Sequence, residues 1–140
     1  MNKINLSIIA VVLFFLVVGC GSTMKGKKLA ESEIEKFHAQ YNAKQYREIY
    51  NQTDNEFKKS VTESQWIELL AKVDRKLGAV KTSSSSNWNV NTKTDGTFAT
   101  VTCEVEFAAG KGTEEFMFRI TDDKALLLNY EVNSPHWSAK

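Results

Sequence analysis

Apolar residues in the first half of the chain recur at spacings of three and four, which is the repeat of an amphipathic helix. The first such stretch runs from Leu29 to Asn42, and asparagine tolerates the left-handed conformation found at helix ends. A second short helix is predicted around Tyr46, and a loop at Thr53 leads to a further turn that contains Phe57. The apolar face of the first helix comprises Leu29, Ala30, Ile34, Phe37 and Tyr41.

Residues 61–78 give the clearest helical pattern. Thr62 is followed three residues later by Gln65, which is the signature of a capping box at the start of a helix. Basic residues crowd the last turns, where the helix dipole favours positive charge, and Gly78 is a typical helix stop. The apolar stripe consists of Trp66, Leu69, Leu70, Val73 and Leu77.

After Gly78 the repeat changes to two, which predicts β-strands. Residues 79–94 predict a bulged or edge strand, with Trp88 and Val90 on one side, and Asp95-Gly96 predicts a tight hairpin turn. Residues 97–107 form the next strand, 108–112 turn the chain, and two more strands flank a turn at 122–124. The predicted inward residues of these three strands are Ala99, Val101, Cys103, Val105, Phe107, Phe116, Phe118, Ile120, Leu126, Leu128, Tyr130 and Val132.

Helices followed by a four-stranded antiparallel meander with one apolar face predict an α+β fold. In this fold the N-terminal helices pack on a curved four-stranded antiparallel sheet. They must cover its apolar face, because a sheet alone would expose a row of aromatic side chains.

The chain begins with a short positive segment and an apolar run. The run from Ile4 to Val18 is 15 residues long, whereas a membrane-spanning helix needs roughly 20. A positive start, a short apolar run and a small residue before a cleavage site are typical of an export signal. Residues 16–20 (LVVGC) resemble a bacterial lipobox, which implies cleavage between Gly19 and Cys20 and a diacylglyceryl group on the Cys20 sulfur. The alternative is an uncleaved signal anchor.

These features divide the chain into a lipoprotein signal peptide at 1–19, a flexible leash at 20–28, a single α+β domain at 29–134 and a tail at 135–140. The leash is small and polar with three lysines, and the two acyl chains of diacylglyceryl-Cys20 make a stable membrane anchor. We expect a protein of the bacterial cell envelope. In a Gram-negative host, Gly21 in place of aspartate after the cysteine implies the periplasmic face of the outer membrane.

The net charge and the cysteine content argue against nucleic-acid binding and against a disulfide within the mature chain. Removing residues 1–19 leaves 121 residues and removes Lys3 alone among the charged residues, so the net charge falls from +1 to zero. A neutral chain lacks the clustered basic residues that nucleic-acid binding requires. With Cys20 lipidated, Cys103 is the remaining cysteine, so no disulfide forms within the mature chain.

Three segments carry a resemblance to a known group of proteins. These are residues 37–46 (FHAQYNAKQY), Ile49-Tyr50, and residues 76–80 (KLGAV). In order and spacing they resemble small bacterial lipoproteins of unknown function with a nuclear-transport-factor-2-like, or cystatin-like, domain. The resemblance covers about residues 30–133. It implies the fold but no activity, because this fold carries enzymes, carriers and dimerisation modules.

The sequence offers few residues for catalysis. His38 beside the apolar face of the first helix is either a base in a conical pocket between helices and sheet or a histidine on the flank of the helix, and we favour the second. Asp74 is either a partner acid at the pocket mouth or a surface ion-pair residue among basic neighbours. No acid interrupts an apolar stripe in this interpretation, so no catalytic residue is assigned.

Metal and cofactor sites are not predicted. His38 and His136 lie far apart in the chain, and the strand alternation turns Cys103 inward as a core thiol rather than an exposed nucleophile. His136 is placed in a disordered or lightly packed tail. The chain contains no glycine-rich phosphate loop and no GxSxG motif.

Aromatic residues are numerous for so small a core, and most of them must pack against one another. A conical pocket lined by several of them would accept a small apolar ligand. The candidate lining residues are His38, Tyr41, Trp66, Trp88, Phe107 and Phe118.

The sequence therefore favours a lipid-anchored envelope lipoprotein with a non-catalytic binding or assembly domain. Its expected partners are the membrane, through diacylglyceryl-Cys20, and an envelope protein or a second copy of the chain. Two alternatives stay open. One is an enzyme of the isomerase or dehydratase type that uses His38 and a pocket acid, and the other is a carrier of a small apolar molecule.

Overall fold

The structure is a computed structural model that describes residues 18–137, with side chains from residue 21 onward. The first 17 residues of the predicted signal peptide lie outside the described residues, and so do residues 138–140. The Cys20 side chain is likewise not described, so its modification stays a prediction.

Helices precede strands, as the change of repeat predicts. The helices are α1 (Val18–Asn42), α2 (Tyr46–Asn51), α3 (Asn55–Ser60) and α4 (Glu63–Leu77). The strands are β1 (Val80–Lys93), β2 (Gly96–Phe107), β3 (Gly110–Thr121) and β4 (Lys124–Asn133). All neighbouring strands are antiparallel, in the order β1-β2-β3-β4. The α+β architecture is therefore confirmed, with an open four-stranded sheet.

Helix α1 is longer than its amphipathic pattern indicates, and residues 20–28 are helical where a flexible leash was expected. Contacts that the sequence does not reveal hold this segment. Gly26 packs so closely on the sheet that a Cβ atom there would lie 3.1 Å from Val90 Cγ1. The Lys25 ammonium lies 3.2 Å from the Asp123 carboxylate in the β3–β4 turn. These tertiary contacts outweigh the weak helical preference of a glycine- and serine-containing segment.

Side chains cap the later helices, and the capping box predicted at Thr62 and Gln65 is present. Asp54 precedes α3 and accepts a hydrogen bond from the Glu56 amide at 2.8 Å. Thr62 and Gln65 form the capping box of α4. Gly78 then ends α4 with φ 76° and ψ −163°, a backbone conformation that only glycine adopts readily.

Strand β1 is an edge strand with two irregularities, at Val80/Thr82 and at Ser85/Asn87, as predicted. The hairpin that follows it differs by one position, because Lys93 pairs with Gly96 and the two turn residues are Thr94 and Asp95. Gly96 instead opens β2 with φ 141°.

Strand β4 departs from the simple alternation. A register shift lies opposite Met117 and Phe118, which pair with Asn129 and Leu127 and leave Leu128 as the extra residue. This bulge puts Ala125 and Leu127 in the core instead of the predicted Leu126 and Leu128, which are half-buried. Beyond the bulge, Tyr130 is inward as expected.

The helices cover one face of the sheet and enclose a core rich in aromatic rings. Phe37 of α1 lies at its centre, with ring centroids 5.1 Å from Phe116, 5.1 Å from Tyr130 and 6.3 Å from Trp66. Aromatic side chains thus fill the centre of the space between helices and sheet. The other buried apolar residues include Ile34, Tyr41, Phe57, Leu70, Val73, Leu77, Val101, Phe107 and Phe118.

Candidate functional site

The most unusual feature of the core is a buried carboxylate with two partners. Glu114 Oε2 lies 2.6 Å from His38 Nε2, and Glu114 Oε1 accepts a hydrogen bond from the Tyr130 hydroxyl at 2.6 Å. The three residues are 2% (Glu114), 8% (His38) and 7% (Tyr130) exposed. A polar network so far from water is energetically significant, because each group would be costly to bury alone.

Three elements bring these side chains together. His38 follows the buried Phe37 on α1 and points to the sheet, where its ring centroid lies 5.8 Å from that of Phe116. Glu114 stands two residues before Phe116 on β3 and therefore shares its inward face. Tyr130 on β4 pairs with Phe116 across the sheet. The cluster is thus fixed by one helix and two neighbouring strands of the sheet.

The Tyr130 hydroxyl keeps its proton in this setting. Burial raises the pKa of Tyr130 well above its ordinary value of 10.0, and the nearby Glu114 carboxylate raises it further. Tyr130 is therefore the donor and Glu114 the acceptor. The second contact joins Glu114 Oε2 to His38 Nε2, and the tautomer of the ring sets which of the two groups donates.

A small pocket of about 170 Å³ lies beside His38, between α1 and the edge of the sheet. Binding sites for metabolites usually measure about 300–1,000 Å³, so this pocket suits water or a small polar group. Burial raises the pKa of the Cys103 thiol at the pocket wall, so this sulfur stays protonated. The remaining lining residues are Glu31, Ile34, Glu35, Ser83 and Ser85.

The six predicted pocket residues do not meet around one cavity. Tyr41, Trp66, Phe107 and Phe118 are fully buried in the core, and the Tyr41 hydroxyl donates to the Gly78 carbonyl at 2.9 Å. His38 belongs to the Glu114 network. Trp88 lies on the exposed edge strand β1, where the Lys27 ammonium sits 5.5 Å from its ring centroid.

The other candidates for chemistry have structural partners. Asp74 forms an ion pair with Lys44. The His136 ring lies against Gly110, and the Trp137 carbonyl accepts a hydrogen bond from Lys76 at 2.9 Å. The described part of the tail is therefore packed on α4 and the start of β3. Cys103 is a free, buried thiol as predicted.

Residues 18–137, the described part of the chain, offer neither a metal centre nor a membrane-spanning helix. These residues contain no group of three or more histidine, cysteine, aspartate or glutamate side chains that could hold a metal ion. Within the same range, no helix combines the length and the apolar character needed to cross a bilayer.

Sequence reasoning missed Glu114, and the expectation that no acid interrupts an apolar stripe is wrong. The error came from the predicted turn at 108–112, which delayed the start of β3; the strand in fact begins at Gly110. The signal was present in the alternation, because Glu114 has the same parity as Phe116 and Phe118. Extending that alternation by one more step would have found it.

Comparison with known proteins identifies the family but no activity. No curated protein matches the chain in sequence. Residues 34–129 match the protein family of unknown function DUF4019, a segment that includes His38 and Glu114 and ends one residue before Tyr130. Because this match spans more than half of the chain, the protein belongs to the DUF4019 family.

Proposed function

We propose that the protein is a lipid-anchored lipoprotein of the bacterial cell envelope, whose domain binds or assembles with another envelope component and catalyses no reaction. The observation that carries the proposal is the sequence LFFLVVGC at residues 13–20. In this segment a short apolar run ends in a glycine and a cysteine, and the positively charged Lys3 precedes the run. This order of features is typical of an export signal whose cysteine receives lipid.

The domain architecture supports the resemblance to the nuclear-transport-factor-2-like fold. In that fold, helices cover one face of a curved antiparallel sheet, and residues 18–137 of this chain form four helices before a four-stranded antiparallel sheet. We therefore include this fold family in the proposal. It adds no activity, since the fold is shared by proteins of many functions.

Two features of the core support a non-catalytic role, namely the hydrogen bonds of Glu114 and the small size of the pocket beside His38. The carboxylate of Glu114 has both oxygens in hydrogen bonds, and the pocket next to His38 is small. The His38–Glu114 pair is the one observation that supports the enzyme alternative, but the pocket volume of about 170 Å³ weighs against it. The filled aromatic core weighs against a carrier of apolar ligands in the same way.

Surfaces for a protein partner lie on the uncovered side of the sheet and along β1. Met117 is 39% exposed on the outer face of β3, away from the helices. Nearly all of β1 is exposed, and as an edge strand it offers backbone hydrogen-bonding groups on one side. A second copy of the chain or another envelope protein would find its contacts there.

The proposal is tested by expressing the full chain and a Cys20→Ser variant in a bacterial host. The native chain should yield a mature protein that begins at Cys20, carries the mass of added lipid and sediments with membranes. The Cys20→Ser variant should accumulate as an uncut precursor without lipid. A Cys103→Ser variant is the matched control and should be processed and lipidated like the native chain. A Cys20→Ser variant that is still cut and held in the membrane would overturn the proposal.

A further inference from the structure

Near the start of α1, Lys27 lies beside two exposed apolar side chains, one on the helix and one on β1. Met24 is 46% exposed and Trp88 is 38% exposed. Lys27 connects them, because its ammonium lies 5.5 Å from the Trp88 ring centroid and Met24 precedes it by three residues on the same side of the helix. Large apolar side chains exposed as a group mark a contact surface.

Lysines surround this apolar pair. Lys25, Lys27 and Lys28 follow Met24 directly in the chain, and Lys28 is exposed. Two acids face them, since Lys27 pairs with Glu31 at 2.6 Å and Lys25 pairs with Asp123 at 3.2 Å. The surface formed by Met24, Lys25, Lys27, Lys28 and Trp88 is here called the α1 patch. Together with Glu31 and the exposed residues Asp122, Asp123 and Lys124 of the adjoining turn, it has four positive and three negative groups, a net charge of +1.

The α1 patch is held at a fixed distance from Cys20. Cys20 and the four patch residues at 24–28 belong to the continuous helix α1, and Met24 follows Cys20 by about one helical turn, or roughly 6 Å along the axis. Trp88 lies on β1, against Lys27 of that helix. The helix is in turn fixed to the sheet where Gly26 packs against Val90 and Ile120. A lipid on Cys20 would therefore bring the α1 patch to the surface of the same membrane.

We propose that the α1 patch lies in the headgroup region of the membrane that holds the anchor, in contact with anionic phospholipids. This inference rests on the lipid anchoring proposed above. Trp88 suits the interface because its ring is apolar and its N–H is polar, and Met24 adds a flexible apolar side chain. Lysines at this depth extend their ammonium groups to lipid phosphates while their methylene chains cover apolar surface.

The contact sets the orientation of the whole domain. Lys25 touches Asp123, so the N-terminal part of α1 lies at the end of the sheet that carries the 122–123 turn. At the other end of α1, Asn42 exchanges two hydrogen bonds of 2.9 Å with the backbone of Val80. The 122–123 turn therefore faces the membrane, and the end with Val80 and the β2–β3 turn points away from it.

The experiment uses the mature lipidated protein reconstituted into vesicles of phosphatidylcholine and phosphatidylglycerol, with bromine atoms on the acyl chains near the headgroups. Bromine quenches tryptophan fluorescence on contact. The quenched fraction of the fluorescence should be clear for the native protein, should fall by more than half in Trp88→Phe, and should not fall in Trp137→Phe, where an unquenched emitter is removed. Trp137 is the matched control because it packs on α4, away from the α1 patch.

A second pair of variants tests the charge. Lys28→Glu should weaken the quenching, and Lys111→Glu, an exposed lysine near the β2–β3 turn, should not. Vesicles of phosphatidylcholine alone should give less quenching than mixed vesicles. Circular dichroism of each variant checks that the fold is kept, which we expect because the replaced side chains are at the surface.

The outcomes separate the two proposals. A vesicle-bound, lipidated protein whose quenching is the same in Trp88→Phe as in the native chain would overturn the orientation and leave the anchor standing. Equal quenching in neutral and anionic vesicles would overturn the anionic contact. A mature chain without lipid on Cys20 would overturn both the anchor and the inference that depends on it.

Discussion

Glu114 shows how one side chain can organise the centre of a small core. Its two oxygens are hydrogen-bonded to a histidine on a helix and a tyrosine on the last strand, so the carboxyl group joins α1, β3 and β4. Buried charges are rarely stabilising compared with well-packed apolar residues, but removing one partner leaves the others without compensation. We therefore regard the network as a device that fixes how the helix sits on the sheet.

Replacing Glu114 with alanine should lower the free energy of unfolding by about 3–5 kcal/mol, because two buried polar side chains lose their hydrogen-bond partner. Glu114→Gln retains one carbonyl acceptor and should be less destabilised. The neighbouring Glu115 is exposed, so Glu115→Gln should stay within about 0.5 kcal/mol of the native chain. Urea denaturation measures all three. An alanine variant as stable as Glu115→Gln would show that the network contributes nothing to folding.

Tyr130 predicts a loss of stability at alkaline pH. Its pKa lies well above 10.0 in the folded protein and near that value in the unfolded chain, so above pH 10 the unfolded state binds fewer protons. The stabilisation is complete below pH 10 and declines as the pH rises, by up to about 1.4 kcal/mol per pH unit for this group. The decline should be shallower in Tyr130→Phe. Unfolding measured between pH 8 and 11 tests this, and equal slopes would contradict it.

At the residue scale, the sequence predicted which side chains are buried better than it predicted which side chains contact each other. Alternation alone put Cys103 and Tyr130 in the core, and both are there. The partnership of His38 with Glu114 joins residues 76 positions apart, and no local pattern reports such a contact. The bulge at Leu128 likewise exchanged the predicted inward residues of β4 for their neighbours. No local pattern reports this bulge, because the register of a strand depends on the strand beside it.

Element ends were predicted best where one residue decides them. The capping box at Thr62 and the stop at Gly78 are local chemistry, and both were predicted correctly. The start of α1 and the hairpin after β1 were not, because the first depends on contacts with Val90 and Asp123 and the second on the pairing of Lys93.

Gly78 gives a prediction for the junction between α4 and β1. It has φ 76°, and an added Cβ would lie 2.7 Å from Ala108 Cβ, so Gly78→Ala combines backbone strain with a clash. The expected loss is about 1–3 kcal/mol or more in the free energy of unfolding. Gly21→Ala is the control, because it is helical with open space around it and should be neutral or stabilising by up to about 1 kcal/mol. Denaturant unfolding that ranks the two variants equally would refute this account.

The whole molecule follows the plan that its sequence pattern indicates, with helices first and an antiparallel sheet after them. The change of apolar repeat at Gly78 was sufficient for this, because layers of secondary structure must bury their apolar faces against each other. Whether the interior holds a ligand could not be predicted, since it depends on how completely the aromatic side chains fill the space.

The filled core predicts that the folded domain carries no small molecule. Native mass spectrometry of residues 21–140, produced without the anchor, should give the mass of the polypeptide alone or of a small whole-number multiple of it. An added mass that is lost when the chain unfolds would contradict this and would revive the carrier alternative. The Trp66→Phe variant, which loosens the core, serves as a comparison for adventitious binding.

The helical continuity of α1 has a consequence for where the protein can act. A flexible leash would let a domain search a volume above the membrane, whereas a helix fixed to its own sheet gives no such freedom. With the proposed anchor at Cys20, the reach of the protein is about its own width, some 30–40 Å for a domain of this length. Its partners would then be found in the same membrane or immediately above it, and not across the envelope.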